Sequence, residues 1–433
     1  MPNFQLHRRR VSKLKKFLAI ILGAIFVLSF AASAFAIHAE IPSETQAVVA
    51  KGATQITIDG ELRVRGWYQK NIVAGAPIDS SSQAWYDERV RLSVDAKVTP
   101  NVEGFIQIES GNGTNDLITW GTPGFNSKVG TMDILQAWIL YTGQGLFGFP
   151  AGLKIGHMPL ALGEKQFFDH TKFGDDAIVF FMDPTKELHI GLLAVKFVEG
   201  LKTVNSDDLD GYVGLAVYKW DPKNAIGVNF TYLNQSTSGK QESDLGIHAN
   251  GNISGFTYKA SGDFQFGDKS DGVSAKGYGL MLGLGYMIDP VGLRLSAAYG
   301  SGPDDDGADP EKQFDTFLGN DQHYTLVYEY RVASAAGAVN TGISNTTYIN
   351  VGLDIAPMKD LKASLDGYYL RATKSTTPGG DKDLGWEADA KIVYNVAKNL
   401  TYQVDAGYFK AGDFYGSDNK GVTVLRHALT LSF

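Results

Sequence analysis

The stretch Ile56 to Gln69, ITIDGELRVRGWYQ, constrains the fold more than any other part of the chain. Read by twos, Ile56, Ile58, Gly60, Leu62, Val64, Gly66 and Tyr68 fall in one row. Thr57, Asp59, Glu61, Arg63, Arg65, Trp67 and Gln69 fall in the other. Alternation of this length predicts a β-strand with one apolar and one charged face. A soluble sandwich turns the charged face to water and the apolar face to a core. An outer-membrane barrel turns the apolar face to lipid and lines a wet interior with the charges.

The N-terminus sets the compartment. Arg8, Arg9, Arg10, Lys13, Lys15 and Lys16 precede the apolar run Phe17 to Phe30, and Ala34-Phe35-Ala36 follows as a small-x-small site. That order is the pattern of a cleaved secretory signal peptide, with Ala34 and Ala36 at the cleavage positions. Its apolar run is short for a membrane-spanning helix, which leaves an uncleaved anchor as the weaker alternative. The Arg-Arg pair lacks the rest of a twin-arginine motif, so the general secretory route is expected. Residues 1–36 are therefore set aside, 37–54 read as a periplasmic N-terminal segment, and 55–433 read as the folded body.

Loss of the signal removes six basic residues and no acidic ones, leaving 33 Lys+Arg against 47 Asp+Glu, a formal charge of −14. An exported chain this acidic is a poor nucleic-acid binder. The chain has no cysteine, which excludes a disulfide scaffold, a lipid-attachment cysteine, a thiolate metal site and covalent haem attachment. No apolar run after residue 36 approaches a spanning helix. This composition suits either a large soluble β protein or a barrel that hides apolar residues at every second position. The C-terminus chooses between them. In VTVLRHALTLSF, Leu425, His427, Leu429, Leu431 and the terminal Phe433 share one face. An alternating last strand that ends on an aromatic residue resembles the assembly signal of bacterial outer-membrane barrels, read by the barrel-assembly machinery.

Other segments repeat the pattern. Phe256, Tyr258, Ala260, Phe264 and Phe266 oppose Thr257, Lys259, Ser261, Asp263 and Gln265, and Leu384 to Tyr394 alternates in the same way. Aromatics bracket the apolar rows, as with Tyr278 and Tyr286, Trp386 and Tyr394, and Tyr402 and Tyr408. Eight residues of strand rise about 26 Å, or about 20 Å across a tilted wall, a spacing that suits two interfacial girdles. Tight turns stand at 99–101, 183–187, 221–224, 289–292, 357–360 and 397–399. Polar, Gly/Asp/Ser-rich stretches at 71–82, 111–131, 235–243, 267–275 and 374–383 read as outer loops. For short and long connections to alternate, residues 177–183 must be a strand and 301–344 must be a long outer excursion, a hairpin or plug folded into the lumen. The predicted fold is all-β, a transmembrane antiparallel β-barrel of about 18 strands, with 16 and 20 left open.

These pieces resemble the alginate-export type of outer-membrane barrel and the porins grouped with it. The resemblance runs through ELRVRGWYQ, WYDERVRLSVDAKVTPNVEGFIQIE, LQAWILY, LKIGHMPLALGE, FDTFLGND, NVGLDIAPMKDLKASLDGYY, LGWEADAKIVYNVAKNLTYQVDAGYF and the final Phe. Their order carries it, since none is a catalytic motif. It implies a channel of about 18 strands with an arginine-lined interior. Where the family often has a basic residue after the Gly of the fifth strand, this chain has His157 and Met158. That departure weakens transfer of a polyuronate-export role more than transfer of the fold.

The candidate pore-lining residues are Asp59, Glu61, Arg63, Arg65, Asp87, Arg89, Arg91, Glu103, Gln107 and Arg426. A hairpin symmetric about Pro77 sets Arg65 across from Arg89 and Arg63 across from Arg91. Like charges directly opposed destabilise a sheet pair, so Glu61, Asp87, Glu103, Gln107 and Glu109 are the expected compensators. Arg426 should lie beside the first strand. The row reads either as an ion-pair ladder that stiffens the wall or as a basic track that draws anions.

Residues 301–321 are rich in Asp against a single Lys312, without EF-hand spacing. The eight histidines show no zinc-protease spacing, and neither a nucleophile elbow nor a phosphate loop is present. No cofactor, metal site or enzyme activity is expected. The expected function is passive diffusion of small hydrophilic or anionic solutes. An export or uptake channel for an anionic polysaccharide is the alternative, and an adhesion or assembly scaffold the third. Expected partners are outer-membrane lipid, lipopolysaccharide and the assembly machinery, with monomer and trimer both open.

Overall fold

A computed structural model describes residues 47–51, 54–72, 82–111, 118–121, 131–145, 148–201, 203, 207–288, 290–304, 309–317, 324–333, 342–376, 380–416 and 419–433. The signal-peptide reading, with Ala34 and Ala36, lies outside these residues. Among the described residues, eighteen antiparallel strands close a barrel in up-and-down order. The first nine are β1 (Thr54–Lys70), β2 (Gln83–Thr99), β3 (Val102–Gly111), β4 (Thr131–Gln144), β5 (Pro150–Met158), β6 (Asp175–Met182), β7 (Leu188–Val198), β8 (Leu209–Asp221) and β9 (Asn224–Gln235). The rest are β10 (Lys240–Ile253), β11 (Phe256–Ser270), β12 (Tyr278–Ile288), β13 (Val291–Gly300), β14 (Thr346–Met358), β15 (Leu361–Ala372), β16 (Asp383–Ala397), β17 (Leu400–Ala411) and β18 (Gly421–Ser432). Short strands Ala47–Lys51, Ile118–Thr119 and Val273–Ser274 pair onto β1, β2 and β11. The strand required by turn parity is present as β6.

Closure runs through β1 and β18, from Glu61 opposite Ser432 to Lys70 opposite Thr423. Phe433 completes the seam. Its backbone exchanges two hydrogen bonds with Gly60, of 2.7 and 3.0 Å. A Cβ on Gly60 would stand 2.3 Å from the Phe433 ring, so the glycine is the seat of that ring.

The two rows of the opening stretch face opposite environments. Leu62 is 43% exposed on the outside, while Arg65 on the inner row is 8% exposed. Ile106, Ile139, Leu192, Leu282, Ile349 and Ile392 continue the outward apolar surface around the barrel, with Tyr286, Trp386, Tyr394, Tyr402 and Tyr408 at its margins. An apolar band of this extent is stable against lipid and untenable in water. Closing the sheet also satisfies the backbone groups that an open edge would leave unpaired in hydrocarbon.

Three expectations are corrected. First, the β1–β2 register sets Arg65 opposite Asp87, Arg63 opposite Arg89, and Glu61 opposite Arg91. The hairpin pairs two residues away from the symmetric reading, and this register turns two like-charge oppositions into one. Second, 235–243 and 267–275 are mostly strand rather than loop. β10 begins at Lys240 and β11 continues to Ser270, with Gln241 paired to Asp268. Polar composition mimicked a loop there, but a ladder reaching beyond the lipid carries polar residues on both faces. Third, the inner face is not polar throughout, since Ala177, Val179, Val195, Val213 and Val217 on β6–β8 point inward and are buried.

That apolar inner wall is covered from within. Residues 159–174, between β5 and β6, fold inward and bury Leu160, Leu162, Phe167 and Phe168. Part of the long connection between β13 and β14 meets them. Phe317 pairs with Phe168 in a parallel bridge, donates its N–H to the Phe167 carbonyl at 2.7 Å, and packs edge-on to Phe197 of β7 at 4.9 Å. Farther along, Tyr324–Ala333 lies on the inner face of β14–β17, with Tyr324 stacked on Tyr348 at 4.7 Å and Tyr328 against Phe409 at 5.5 Å. The aromatic residues of this stretch face the wall, and their burial holds it inside the barrel.

Candidate functional site

The charged inner faces of β18, β1 and β2 form one wall of the lumen. Asp87 is 1% exposed and accepts three donors: Arg65 Nε at 2.7 Å, Arg65 Nη2 at 3.3 Å and Trp67 Nε1 at 2.8 Å. Arg89 donates to Glu61 at 2.6 and 2.9 Å, and Arg91 bonds Glu109. Arg426 lies beside β1 as expected, opposite Trp67, and donates to Asp405 of β17 at 2.8 Å. Arg63 shares the face and stands opposite Arg89. Each compensating carboxylate therefore sits one strand over from its arginine, where side chains of adjacent strands meet.

Two of the expected compensators are elsewhere. Glu103 stands opposite Lys97, and Gln107 bonds Gln136 at 2.9 Å. Both side chains lie nearer the 99–101 turn than the arginines do, and on β3 it is Glu109 that stands opposite Arg91. Asp59 faces the lumen opposite Ser93 and is buried, nearer the short-turn end than the arginine cluster.

The centre of the wall is Trp67. Three guanidinium groups face its ring, those of Arg426 at 5.1 Å, Arg65 at 5.2 Å and Arg331 at 5.5 Å. Trp67 also stacks on Trp85 at 5.6 Å with 8° between planes, which extends the aromatic platform. Arg331 arrives on the inward segment rather than on the wall. It bonds Gln69, faces Trp85 at 5.8 Å, and has no carboxylate within ion-pair reach among the described residues. Burial first, and then the Arg426 and Arg65 charges, push its pKa below the ordinary guanidinium value. An aromatic face is a favourable seat for such a cation because the ring quadrupole attracts it without neutralising it.

Sequence reasoning missed Arg331, Trp67 and Asp405. The alternating HYTLVYEYRV stretch was the available signal for Arg331, since a charged residue in an inward plug must face something. On the far wall, Arg294 of β13 bridges Asp354 and Asp366 with four hydrogen bonds of 2.7 to 3.1 Å. Glu387 and Asp389 of β16 accept backbone N–H groups of the inward segment. The lumen is thus cationic on the β18–β1–β2 side and acidic on the β14–β17 side. His157 and Met158 place neither lysine nor arginine at this point of β5: the imidazole is held between Asp176 and the Phe173 carbonyl at 2.9 Å each, while Met158 is buried.

Residues 55–424 match the family model described as alginate export. The chain belongs to the alginate-export family. Among solved structures, this family member is similar to Pseudomonas aeruginosa OpdL, at 11% identity and a TM-score of 0.58 over 87% of this chain and 98% of that one. It is likewise similar to OccK2 (OpdF) of the same organism, at 11% identity and a TM-score of 0.58, covering 87% and 97%. OpdQ of that organism gives 13% identity and a TM-score of 0.56, again covering 87% and 97%. No curated protein matches in sequence. Closed barrel, apolar belt and family together make this alginate-export family member an integral outer-membrane protein.

Proposed function

We propose that the chain is an outer-membrane porin for passive diffusion of small hydrophilic solutes, with anions favoured by the β18–β1–β2 wall. The observation that carries this reading is the convergence of Arg65, Arg331 and Arg426 on Trp67, with Asp87 and Asp405 the carboxylates bonded to that trio among the described residues. The ladder farther along, Arg89–Glu61 and Arg91–Glu109, is paired and serves chiefly to hold the wall. Opposed cationic and acidic walls set up a transverse field that orients a passing charged solute.

Arg331→Gln is the direct test. Arg65 is a poorer probe, because its removal strands Asp87 in a buried site, where losing one partner of an ion pair costs about 3–5 kcal/mol. Among the described residues Arg331 has no carboxylate partner to strand. Reversal potentials across a KCl gradient should show reduced anion preference in Arg331→Gln. The reduction should be largest at low salt, since ions screen over about 8 Å at physiological strength. Wild-type selectivity at low salt would remove the arginine cluster from the filter.

Export of an anionic polysaccharide is favoured by one finding, the family match. It is distinguished by adding short polyuronate chains to single channels: long, concentration-dependent interruptions at micromolar concentration support an export path, and their absence supports the porin.

A further inference from the structure

The outer surface of the barrel carries its charges unevenly. Where β15, β17 and β1 run into their long connections, Arg371, Lys410 and Lys70 stand on the outward rows and are exposed. None of the three bonds a carboxylate among the described residues. Asp383 faces Arg371 across the β15–β16 ladder, but its carboxylate lies over Gly412, where a Cβ would stand 2.7 Å from its Cγ. On the β6–β8 side of the same rim the balance is reversed. Lys196 is held by Asp208 at 2.8 Å and Asp210 at 2.7 Å, and Asp176, opposite Lys196, is exposed. In a chain with more acidic than basic residues, composition does not account for three such cations on one part of the rim.

Aromatic residues fix the height of these cations. Tyr369 pairs with Trp386, and Trp386 with Lys410, along one outward row. Trp386 and Tyr408 lie 5.6 Å apart and, with Tyr369, are 41 to 50% exposed. Leu365, Ile392 and Leu425 continue the apolar band below them. Tyr408 leans toward the rim, since a Cβ on Gly421 would stand 2.3 Å from its hydroxyl oxygen, and Gly421 is the ladder partner of Lys410. A ring with its polar tip at the rim marks the boundary between hydrocarbon and headgroups. The cations sit at or just beyond that boundary, on side chains long enough to keep their charge in the headgroup layer. A side chain that points outward at this height meets lipid rather than the contents of the lumen.

We propose that this face binds the phosphorylated glycolipid of the outer leaflet, lipopolysaccharide, through more than one of its phosphates. The long connections mark the outer end of the barrel, so the leaflet is the outer one. Arg371 and Lys410, like Lys410 and Lys70, are separated by two strand spacings and two residues of rise, about 12 Å between backbones. A single phosphate bridges two such side chains at most. A headgroup with phosphates at both ends of its sugars engages all three, while its acyl chains lie on the apolar band and its sugars rest beside Trp386 and Tyr408. Arginine takes a phosphate by parallel hydrogen bonds and lysine takes it as a point charge. The site is independent of what crosses the lumen.

Native mass spectrometry of the refolded full chain in micelles reads the binding directly, with bisphosphorylated lipid A as probe. It should bind at least tenfold more tightly than its dephosphorylated form, with the monophosphorylated form between them. A basic residue near an anionic lipid surface contributes about fivefold in affinity. Lys70→Gln, Arg371→Gln and Lys410→Gln together should therefore weaken the bisphosphorylated lipid about a hundredfold. Lys186→Gln, Lys223→Gln and Lys359→Gln together remove the same charge from exposed positions on the short-turn rim and should leave its affinity unchanged. Heat modifiability reports the fold of both variants, and the comparison of the three lipids on wild type needs neither. Equal affinity for phosphorylated and dephosphorylated lipid, or equal loss in the two triple variants, would overturn the site. So would displacement of the lipid by millimolar inorganic phosphate, which marks a soluble-ion site. A lipid-free oligomer that dissociates when Lys70, Arg371 and Lys410 are changed would give the face to a second copy of the chain and overturn it equally.

Discussion

The inward segment is held to the wall by carboxylates, and one substitution should loosen it. Val327 and Tyr328 donate their backbone N–H groups to the two oxygens of Glu387, at 2.6 and 2.7 Å, and Leu326 donates to Asp389 at 3.0 Å. The segment then forms a single π-helical turn, Tyr328–Ala333. The start of a helical turn exposes N–H groups that need acceptors, and Glu387, itself 1% exposed, supplies them. Glu387→Gln keeps the shape and one acceptor but aims an amide NH₂ at a backbone N–H. One hydrogen bond is lost and a buried N–H is left without its acceptor, about 1–3 kcal/mol, which is a rise of about five- to a hundredfold in the released population. The Tyr324–Tyr348 and Tyr328–Phe409 contacts remain, so release is a shift in equilibrium rather than a loss of fold. Arg331 rides on this segment, and its withdrawal takes one guanidinium from Trp67. Single channels of Glu387→Gln should therefore show higher mean conductance, more current noise and weaker anion preference. Trypsin should cut after Arg331 faster than in wild type. Unchanged conductance, noise and cleavage together would refute the claim that Glu387 latches the segment.

Two further outcomes test the barrel itself. Leu282→Arg should lower the heat-modifiable folded fraction, because Leu282 is 48% exposed on the outer band and an arginine there costs about 2–4 kcal/mol near the midplane; Asn395→Arg, on an exposed position near a turn, should fold as wild type. At the seam, Gly60→Val and deletion of Phe433 should each reduce assembly in the outer membrane, and the two together should cost little more than the deletion, since the valine harms only by displacing the ring.

Alternation made the wall legible because lipid and lumen impose opposite demands on successive residues, and the parity of turns recovered β6 from the apolar string AIVFFM. Register was less legible. Arg65 against Asp87 and Arg65 against Arg89 differ by two residues, so both keep every side chain on its proper face. Only the charges distinguish them, and those favour the observed pairing. Arg331 was hidden for another reason: its place depends on where a long connection lands, through contacts with β16 and β17 that no local pattern encodes. The strongest signal that went unused was the breakdown of alternation itself. In β6, Ala177 and Val179 face inward while Ile178 faces out, so the strand is apolar on both sides. Strands that are apolar on both faces are covered on both faces, and in a barrel one cover is lipid. The other has to come from the chain, and Leu160, Leu162, Phe167, Phe168 and Phe317 provide it. Where that cover stops short, over Val179 and Val217, the wall is left apolar beside a buried lysine, a combination that neither a plain water-filled tube nor a closed plug requires.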